Sequence, residues 1–448
     1  MRSQIHTFSY PNGEIQRVQA VYPESWEKLS FLPLRYEDPA FDGFCHIYRR
    51  FLVPSCPWIF GNLVLFRLPE GIKTEFPNAT KAFGEVADPL TAAAVAMRGG
   101  MRIVKGKPVF SDDRVKKFWA ELEVKKSVRV VSGKLPVTTV IPVGPFPGYL
   151  SKTQESAALK VNASFFIMDR FDCATVYDHI GTPLGLCVKD GKVLNPPLFR
   201  REALLVKDDG SVRIETPDVK KMNIEIRGQR YRHGENALVY SRPERKTTPR
   251  SKEKKLIIVG NRVAAVVTAD RAQIPASGFV LCVPMSSQAR PGDAVIYRGM
   301  EDVRFCIQVG NSILRNGEKT EKFISRFYNV YALEPVPFPP SLYPLDFEKA
   351  RAARIALGSD KEGDPVLLWA EGAGKLRYTP GEDSCGASLS EMAQICSQMG
   401  LVNAVNLDGG GSAQILVNNR RSLRISDRKA EDNSEQERAI PLGLMVEG

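Results

Sequence analysis

A chain of 448 residues is too long for one ordinary hydrophobic core and leaves room for two or three domains. Its 43% hydrophobic and 25% charged residues are typical of a soluble globular protein, and no apolar run is long enough to cross a bilayer. The polar N-terminus lacks the apolar stretch of a secretory signal, so the sequence predicts a cytoplasmic protein without a membrane span.

The eight cysteines are scattered and form no C-x-x-C pair, and only four histidines are present. This pattern argues against a structural zinc site and predicts buried free thiols. We therefore predict no metal ion and no other cofactor.

The net charge of +11 is confined to two segments. Residues 102–134 carry a net charge of +6 and residues 242–255 a net charge of +5, and the remainder is balanced. We interpret each segment as a solvated loop or helix face; the alternative is attraction of a phosphorylated substrate. Because no nucleic-acid module accompanies them, the sequence argues against nucleic-acid binding.

The chain begins with a region, residues 1–135, that is rich in aromatic residues and prolines and contains no chemical motif. A helix is predicted over residues 112–126, where apolar residues recur at helical spacing. We interpret residues 1–135 as an N-terminal accessory domain or extension of unknown role.

From residue 136 onward, short β-branched runs alternate with Gly and Asp-Gly turns, a pattern typical of hairpins. Hairpins are predicted at residues 185–194, 204–214 and 256–267. The basic segment 242–255 lies between predicted strands and is expected to form a mobile loop.

The last hundred residues contain the clearest pattern. Ser388 and Glu391 fit a capping box, and apolar residues at helical spacing follow until Gly400 ends the helix. Strands are then predicted at Val402–Leu407 and Ile415–Val417. The predicted fold class is α+β: a β-rich domain over residues 136–448 in which helices pack on a mixed sheet, plus the N-terminal region.

Between those two strands lies Asn406-Leu407-Asp408-Gly409-Gly410-Gly411-Ser412. Dense glycine occurs where the main chain needs positive φ or where a ligand approaches the backbone. Successive exposed N–H groups in such a turn form a concavity that suits an anion such as phosphate. The alternative is a hairpin turn that Asp-Gly initiates.

These residues resemble the phosphodiester glycosidase family. The similarity extends over about 136–448, in the order of the family's motifs: Val161–Phe166, Gly185–Val193, Pro275–Leu281, Arg354–Gly358, Leu389–Ala393, Asn406–Ser412 and Arg438–Pro441. Ala163-Ser164 stands where the family has paired glycines, which narrows a binding pocket or alters its ligand.

The resemblance implies cleavage of the bond between a sugar's anomeric carbon and a phosphodiester, which releases free sugar and a phosphomonoester. Asp408 is the candidate carboxylate that acts on the sugar or on attacking water; its alternative role is to cap the turn. Arg354 is the second catalytic candidate and Arg438 a phosphate-binding one, since Arg forks match phosphate geometry. Either arginine has a structural ion pair as its alternative.

The remaining candidates would bind substrate: Asn162, Ser164, Asn406, Gly409, Gly410, Gly411 and Ser412. A strand-end Asn also serves its own turn, and Ser412 also suits a local hydrogen bond. Glu391 and His179 are further candidates for acid–base chemistry, against helix capping for the first and a surface position for the second.

The substrate would be a small-molecule or glycan phosphodiester. A second hypothesis is a non-catalytic protein that binds or sequesters a phosphorylated sugar or nucleotide with the same residues. The Ala163-Ser164 replacement favours this second hypothesis.

Overall fold

In the computed structural model, the described residues are rich in β-strands and contain little helix. The described residues are 1–34, 63–66, 101–104, 107–110, 128–131, 149–153, 156–167, 175, 182–197, 201–242, 244–320, 351–372, 378–428, 432 and 434–447. Within them the strands form five sheets of three to seven strands and two isolated pairs.

The largest sheet has seven strands and carries the predicted site at one of its strand ends. Its strands, in spatial order, are β1 (Arg2–Ser9), β2 (Ile15–Tyr22), β24 (Pro365–Ala370), β23 (Arg354–Asp360), β25 (Leu401–Asn406), β21 (Ser312–Arg315) and β22 (Glu318–Lys319). The three central strands, β24, β23 and β25, are buried along almost their whole length. This sheet is therefore the rigid support of the site.

A single α-helix, α1 (Leu389–Gln398), occurs in the described part of the chain. It begins with the predicted capping box: the Ser388 hydroxyl accepts from the Glu391 amide, and the Glu391 carboxylate accepts from the Ser388 amide. Leu389 and Met392 pack in one buried cluster with residues of the seven-stranded sheet. Among the described residues, no helix is long and apolar enough to cross a membrane.

A four-stranded sheet provides the other half of the frame around the site. Its strands are β26 (Ile415–Val417), β8 (Ala157–Asn162), β27 (Leu442–Glu447) and β3 (Leu29–Pro33). Asn162, at the end of β8, lies opposite Gly443 of β27. The two sheets are joined directly along the chain, because β25 of the first sheet precedes β26 of the second.

Three further sheets share one hydrophobic cluster that contains Leu205, Ile224 and Phe279. The five-stranded sheet consists of β10 (Lys192–Asn195), β9 (Cys187–Lys189), β20 (Val303–Ile307), β11 (Ala203–Lys207) and β12 (Val212–Glu215). The three-stranded sheet consists of β14 (Gln229–Tyr231), β13 (Asn223–Ile226) and β19 (Val295–Arg298). The other four-stranded sheet consists of β15 (Leu238–Ser241), β18 (Gly278–Val283), β16 (Lys254–Val259) and β17 (Arg262–Val267). All three predicted hairpins are confirmed here.

Two isolated strand pairs complete the described structure. They are formed by β4 (Leu63–Phe66) with β7 (Val128–Val131), and by β5 (Met101–Val104) with β6 (Lys107–Phe110). The helix predicted at residues 112–126 lies outside the described residues.

The predicted α+β class is wrong. Within the described residues the protein is β-rich, with one helix, and neighbouring strands in every sheet run antiparallel, so the sheets are not mixed. The prediction gave too much weight to one strongly patterned helix. Short strands, which leave weaker periodic signals, make up the rest of the described fold.

The second and third strands are hydrogen-bonded to strands from the last hundred residues of the chain, and β1 pairs with β2. β2 pairs with β24, and β3 pairs with β27. Residues 2–33 thus supply strands to the two sheets that frame the site. The boundary at residue 135 and the role of the rest of the accessory region stay predictions.

Residues of the basic segment 242–255 are hydrogen-bonded to other parts of the same chain. The amide of Thr248 donates to Ala272 O at 2.9 Å, and the guanidinium of Arg242 donates through Nε to Ile274 O at 2.8 Å. Lys255, in β16, is fully buried, and its ammonium donates to Glu253 O at 2.7 Å. Two of the cations that raise the charge of this segment are therefore used inside the fold.

We expect Met392→Ala to lower the free energy of unfolding by about 2–5 kcal/mol, because Met392 is fully buried between α1 and the seven-stranded sheet. Urea titration followed by circular dichroism measures the loss. Ser390→Ala, on the exposed side of the same helix, is the control and should change stability much less. Equal effects of the two substitutions would contradict the packing of α1 on the sheet.

Candidate active site

The glycine-rich stretch carries the chain from one sheet to the other. β25, which ends at Asn406, pairs with β23 and β21, whereas β26, which begins at Ile415, pairs with β8. Strands that a hairpin joins would pair with each other. The alternative of a hairpin turn is therefore wrong, and the stretch is a crossing whose middle, Gly410–Ser412, forms one 3-10 turn.

Each of the three glycines meets a different steric requirement. Gly410 has a φ of +59°, in the left-handed region that favours glycine. A side chain at Gly409 would place its Cβ 2.7 Å from Ala353 O, and one at Gly411 would overlap the carboxylate of Asp427 and the guanidinium of Arg438. The glycine run therefore brings the main chain into contact with two other parts of the protein.

Asn162 holds both ends of the crossing. Its side-chain Nδ2 donates to Asp408 O at 2.6 Å, and its Oδ1 accepts from the amide of Gln414 at 2.9 Å. The amide of Asp408 in turn donates to Ala163 O at 3.1 Å. The end of β8 thus fixes the main chain on either side of the carboxylate of Asp408.

Arg354 lies beside the first glycine. It begins β23, is buried, and donates through Nε to Ala387 O at 3.0 Å. The neighbouring main chain is bonded to the crossing, because the amide of Leu407 donates to Ile355 O and the amide of Gly410 donates to Ala353 O, both at 2.8 Å. The structure therefore brings Arg354 and the glycine-rich stretch together.

Arg438 lies on the other side of the turn and forms a two-point ion pair with Asp427. Its Nε donates to Asp427 Oδ2 at 3.1 Å and its Nη2 to Asp427 Oδ1 at 3.3 Å, while its Nη1 donates to Ser412 Oγ at 3.3 Å. The side chain of Arg438 is 17% exposed and that of Asp427 only 3%. The arginine is thus the part of this pair that reaches the surface.

The predicted residues differ in their access to solvent. Asn162, Asn406 and Ser412 are fully or almost fully buried. Ser164 is 2% exposed, and its hydroxyl makes no hydrogen bond within the described residues. Gly409 and Gly410 are half-buried. The accessible rim of the crossing therefore consists of these two glycines and Arg438, whereas Asp408, at 6% exposure, is buried.

The amides of the turn are only partly available to an anion. The amide of Gly410 donates to Ala353 O and that of Ser412 to Gly409 O. In the described part of the chain, the amide of Gly409 donates no backbone hydrogen bond. An anion at this rim would therefore meet the Gly409 amide and the guanidinium of Arg438.

Glu391 is held at the start of α1, apart from these contacts. Its carboxylate accepts from the Ser388 amide at 2.9 Å and from Arg351 Nη2 at 2.6 Å. Burial acts to raise the pKa of Glu391, but the hydrogen bonds from Arg351 and Ser388 outweigh burial and leave the pKa below its usual value. His179 lies outside the described residues.

Two acidic residues that the sequence did not single out are central to this region. Asp427 pairs with Arg438, and Glu371, which directly follows β24, is buried and accepts from Arg17 Nη1 at 3.2 Å, Ser384 Oγ at 2.6 Å and the Arg424 amide at 2.8 Å. A largely buried arginine such as Arg438 needs a counter-charge, so a search for nearby acids along the chain is the signal available in the sequence. That search does not separate Asp427 from the other acids of the same loop.

The described residues contain no group of three or more His, Cys, Asp and Glu side chains that could hold a metal ion. The arrangement that is present has a carboxylate, Asp408, with two guanidinium groups beside the following glycines. Such a set can stabilise negative charge on a phosphate and, through the carboxylate, positive charge on a sugar. The absence of a cofactor stays a prediction.

Comparison with known proteins confirms the family resemblance. The family model described as phosphodiester glycosidase matches residues 244–447, a shorter range than the resemblance in the sequence predicts. N-acetylglucosamine-1-phosphodiester alpha-N-acetylglucosaminidase of Mus musculus is 39% identical over 87 residues, and that of Homo sapiens is 38% identical over 87 residues. Each alignment covers 19% of this chain and 15% of the relative, so the match spans only a small part of those proteins.

Two solved structures also resemble this chain, each at 14% identity. One is the catalytic domain of zebrafish N-acetylglucosamine-1-phosphodiester alpha-N-acetylglucosaminidase auto-inhibited by its pro-peptide, with a TM-score of 0.38 over 100% of this chain and 82% of that one. The other is a hypothetical protein from Synechocystis, with a TM-score of 0.41 over 99% of this chain and 61% of that one. These low TM-scores do not establish a shared fold.

The positive φ of Gly410 and the close packing at Gly411 predict different losses in the free energy of unfolding when each glycine is replaced by Ala. Gly410→Ala should cost about 1–2 kcal/mol, because only the positive φ opposes it and no atom lies within 4 Å of the added carbon. Gly411→Ala should cost more, about 3–5 kcal/mol, because the added carbon displaces the buried ion pair of Asp427 and Arg438. Urea titration of the two variants compares them, and an equal loss of stability would contradict the packing of the ion pair against Gly411.

The lowered pKa of Glu391 predicts a contribution to stability that acid removes. The folded protein holds the pKa of Glu391 below its unfolded value, so the contribution is complete above about pH 4.3 and is lost as the pH falls through the folded-state pKa. Glu391→Gln keeps a capping side chain but lacks the charge, and should flatten the fall in unfolding free energy below that pH. Glu318→Gln, at an exposed position, is the control and should leave the acid limb unchanged; an unchanged acid limb in Glu391→Gln would refute the assignment.

Proposed function

From the match of residues 244–447 to the phosphodiester glycosidase family, we propose that this protein hydrolyses the glycosidic bond of a sugar-1-phosphodiester. The products are free sugar and a phosphomonoester. The observation that carries the proposal is the arrangement around one turn: the glycines that follow Asp408 lie between Arg354 and Arg438. The curated relatives named above act, as their names state, on N-acetylglucosamine-1-phosphodiester.

The chemistry of the leaving group agrees with this set of side chains. Ordinary glycosidases need two carboxylates, one of which protonates a poor alkoxide leaving group. A phosphate ester leaves more readily, so the site needs charge stabilisation more than a strong general acid. Arg438 supplies it at the accessible rim, where a phosphate can reach the guanidinium.

Asp408 acts on the sugar side of the broken bond in this proposal. Its carboxylate stabilises the positive charge that develops at the anomeric carbon or orients the attacking water. The hydrogen bonds of its main chain to Asn162 and Ala163 fix the position from which it acts. This fixed position lowers the reorganisation that the reaction requires.

A second candidate function is binding of a phosphorylated sugar or nucleotide without turnover. The observation that favours it is the burial of Ala163 and Ser164 directly beside the main chain of Asp408, where the family has glycines. Compared with glycines, the extra side-chain atoms at 163 and 164 take up space beside the main chain of Asp408. A bound phosphate would then be held while the sugar is not cleaved.

The test is turnover of a panel of sugar-1-phospho-alcohols and nucleotide sugars, with release of free sugar and of phosphomonoester measured separately. We expect equal amounts of the two products and a fall in kcat of about 10²–10⁴-fold in Asp408→Asn. The substitution keeps the main-chain hydrogen bonds of residue 408, so folding should be preserved. Asp364→Asn, which changes an exposed carboxylate in the turn between β23 and β24, should leave kcat unchanged.

Three results would decide against parts of the proposal. Tight binding of the panel without product favours the second function. Turnover that Asp408→Asn does not reduce removes Asp408 from the mechanism. Loss of turnover in Asp364→Asn as well would attribute the effect to folding rather than to chemistry.

A further inference from the structure

The ion pair with Asp427 uses one edge of the Arg438 guanidinium, and other N–H donors of the same group lie outside the pair. Asp427 accepts from Nε and Nη2, and Nη1 donates to Ser412 Oγ at 3.3 Å. A guanidinium has five N–H donors in a fixed plane, and these contacts occupy only some of them. The carboxylate therefore sets the plane in which the remaining donors lie.

That plane is set directly against the glycine-rich crossing. A Cβ at Gly411 would overlap both the Asp427 carboxylate and Arg438 Nη2, so the pair fills the space that the missing side chain leaves. Arg438 keeps 17% of its side chain exposed, beside the half-buried Gly409 and Gly410. Arg354, on the other side of the turn, is almost fully buried. Of the two arginines, Arg438 is thus the one that a ligand can reach.

The segment that carries Asp427 is fixed at several points. The Arg424 amide donates to the buried carboxylate of Glu371 at 2.8 Å, and the Gln436 amide donates to Asp427 O at 3.0 Å. The Ile425 amide donates to Glu435 Oε2 at 3.3 Å. Because the main chain just before Asp427 and the carbonyl of Asp427 itself are hydrogen-bonded, the carboxylate has little freedom to follow a moving arginine.

We propose that Asp427 is the positioning residue of the phosphate site: it holds the guanidinium of Arg438 so that the remaining N–H donors face the phosphate of the substrate. This inference rests on the proposed function. Asp427 itself makes no contact with substrate and acts through Arg438. Its effect should therefore appear in phosphate affinity and should depend on the presence of the arginine.

The test measures the affinity for inorganic phosphate by calorimetry, together with kcat and KM for any substrate found. Asp427→Asn should weaken phosphate binding and raise KM by about 10- to 100-fold, because a displaced guanidinium no longer directs its N–H donors at the phosphate. Asp427→Glu keeps the charge and should restore part of the affinity. In an Arg438→Gln background, Asp427→Asn should change phosphate affinity less than twofold. Arg271→Gln, at an exposed arginine, is the matched control and should bind phosphate as the wild type does.

Phosphate affinity that Asp427→Asn leaves unchanged, or lowers equally with and without Arg438, would overturn the proposal. The calorimetric measurement needs no turnover, so it separates the two ideas. A wild-type protein that binds phosphate through this pair but cleaves no substrate would refute the hydrolase and support Asp427. If the wild-type protein cleaves substrate and Asp427→Asn has the same KM and phosphate affinity, the hydrolase is supported and the role of Asp427 is refuted.

Discussion

The structure around the site depends on one buried carboxamide. The chain leaves one sheet at Asn406 and enters another at Ile415, and the side chain of Asn162 bonds to the main chain on both sides of this passage. A carboxamide has a donor and an acceptor, so one residue satisfies a carbonyl before the turn and an amide after it. Buried main-chain groups need such partners, and Asp or Leu at this position would leave at least one of them unpaired.

Electrostatics explains why the crossing is built from residues without side chains. Two arginines and two carboxylates are buried or largely buried near it, and buried charge is stable only with close partners. Glycine lets the main chain come within reach of these groups, and the ion pair of Asp427 with Arg438 packs directly against Gly411. The result is a set of charges that is already oriented before any ligand arrives, which is the arrangement that favours electrostatic stabilisation of a transition state.

Local features of the fold were predictable from the sequence, whereas sheet membership was not. Asp-Gly and Gly-Asn turns located three hairpins, the capping box located α1, and the strand at Ile415–Val417 has the predicted bounds. β25 was displaced by one residue, to Leu401–Asn406. These signals depend on neighbours within a few residues, which a single sequence displays.

The missed features depend on distant parts of the chain. Nothing local distinguishes a turn between paired strands from a passage between two sheets, so Asn406–Ser412 kept both interpretations. Asp427 and Glu371 resemble ordinary surface acids until the structure shows which arginines and amides surround them. The family resemblance brought Asn162, Arg354 and Arg438 to attention together, but it was silent on the acids that orient them.

The pairing of the strands has a consequence for what counts as a unit of this protein. The range that matches the family model begins at residue 244, yet β24 lies beside β2, and β27 lies between β8 and β3. A fragment cut to the family range would lose strands from all five sheets and expose open ladder edges, the kind of surface on which strands from other molecules add. The range that matches the family model is therefore smaller than the range that closes these sheets, and the N-terminal strands complete the two sheets that frame the site.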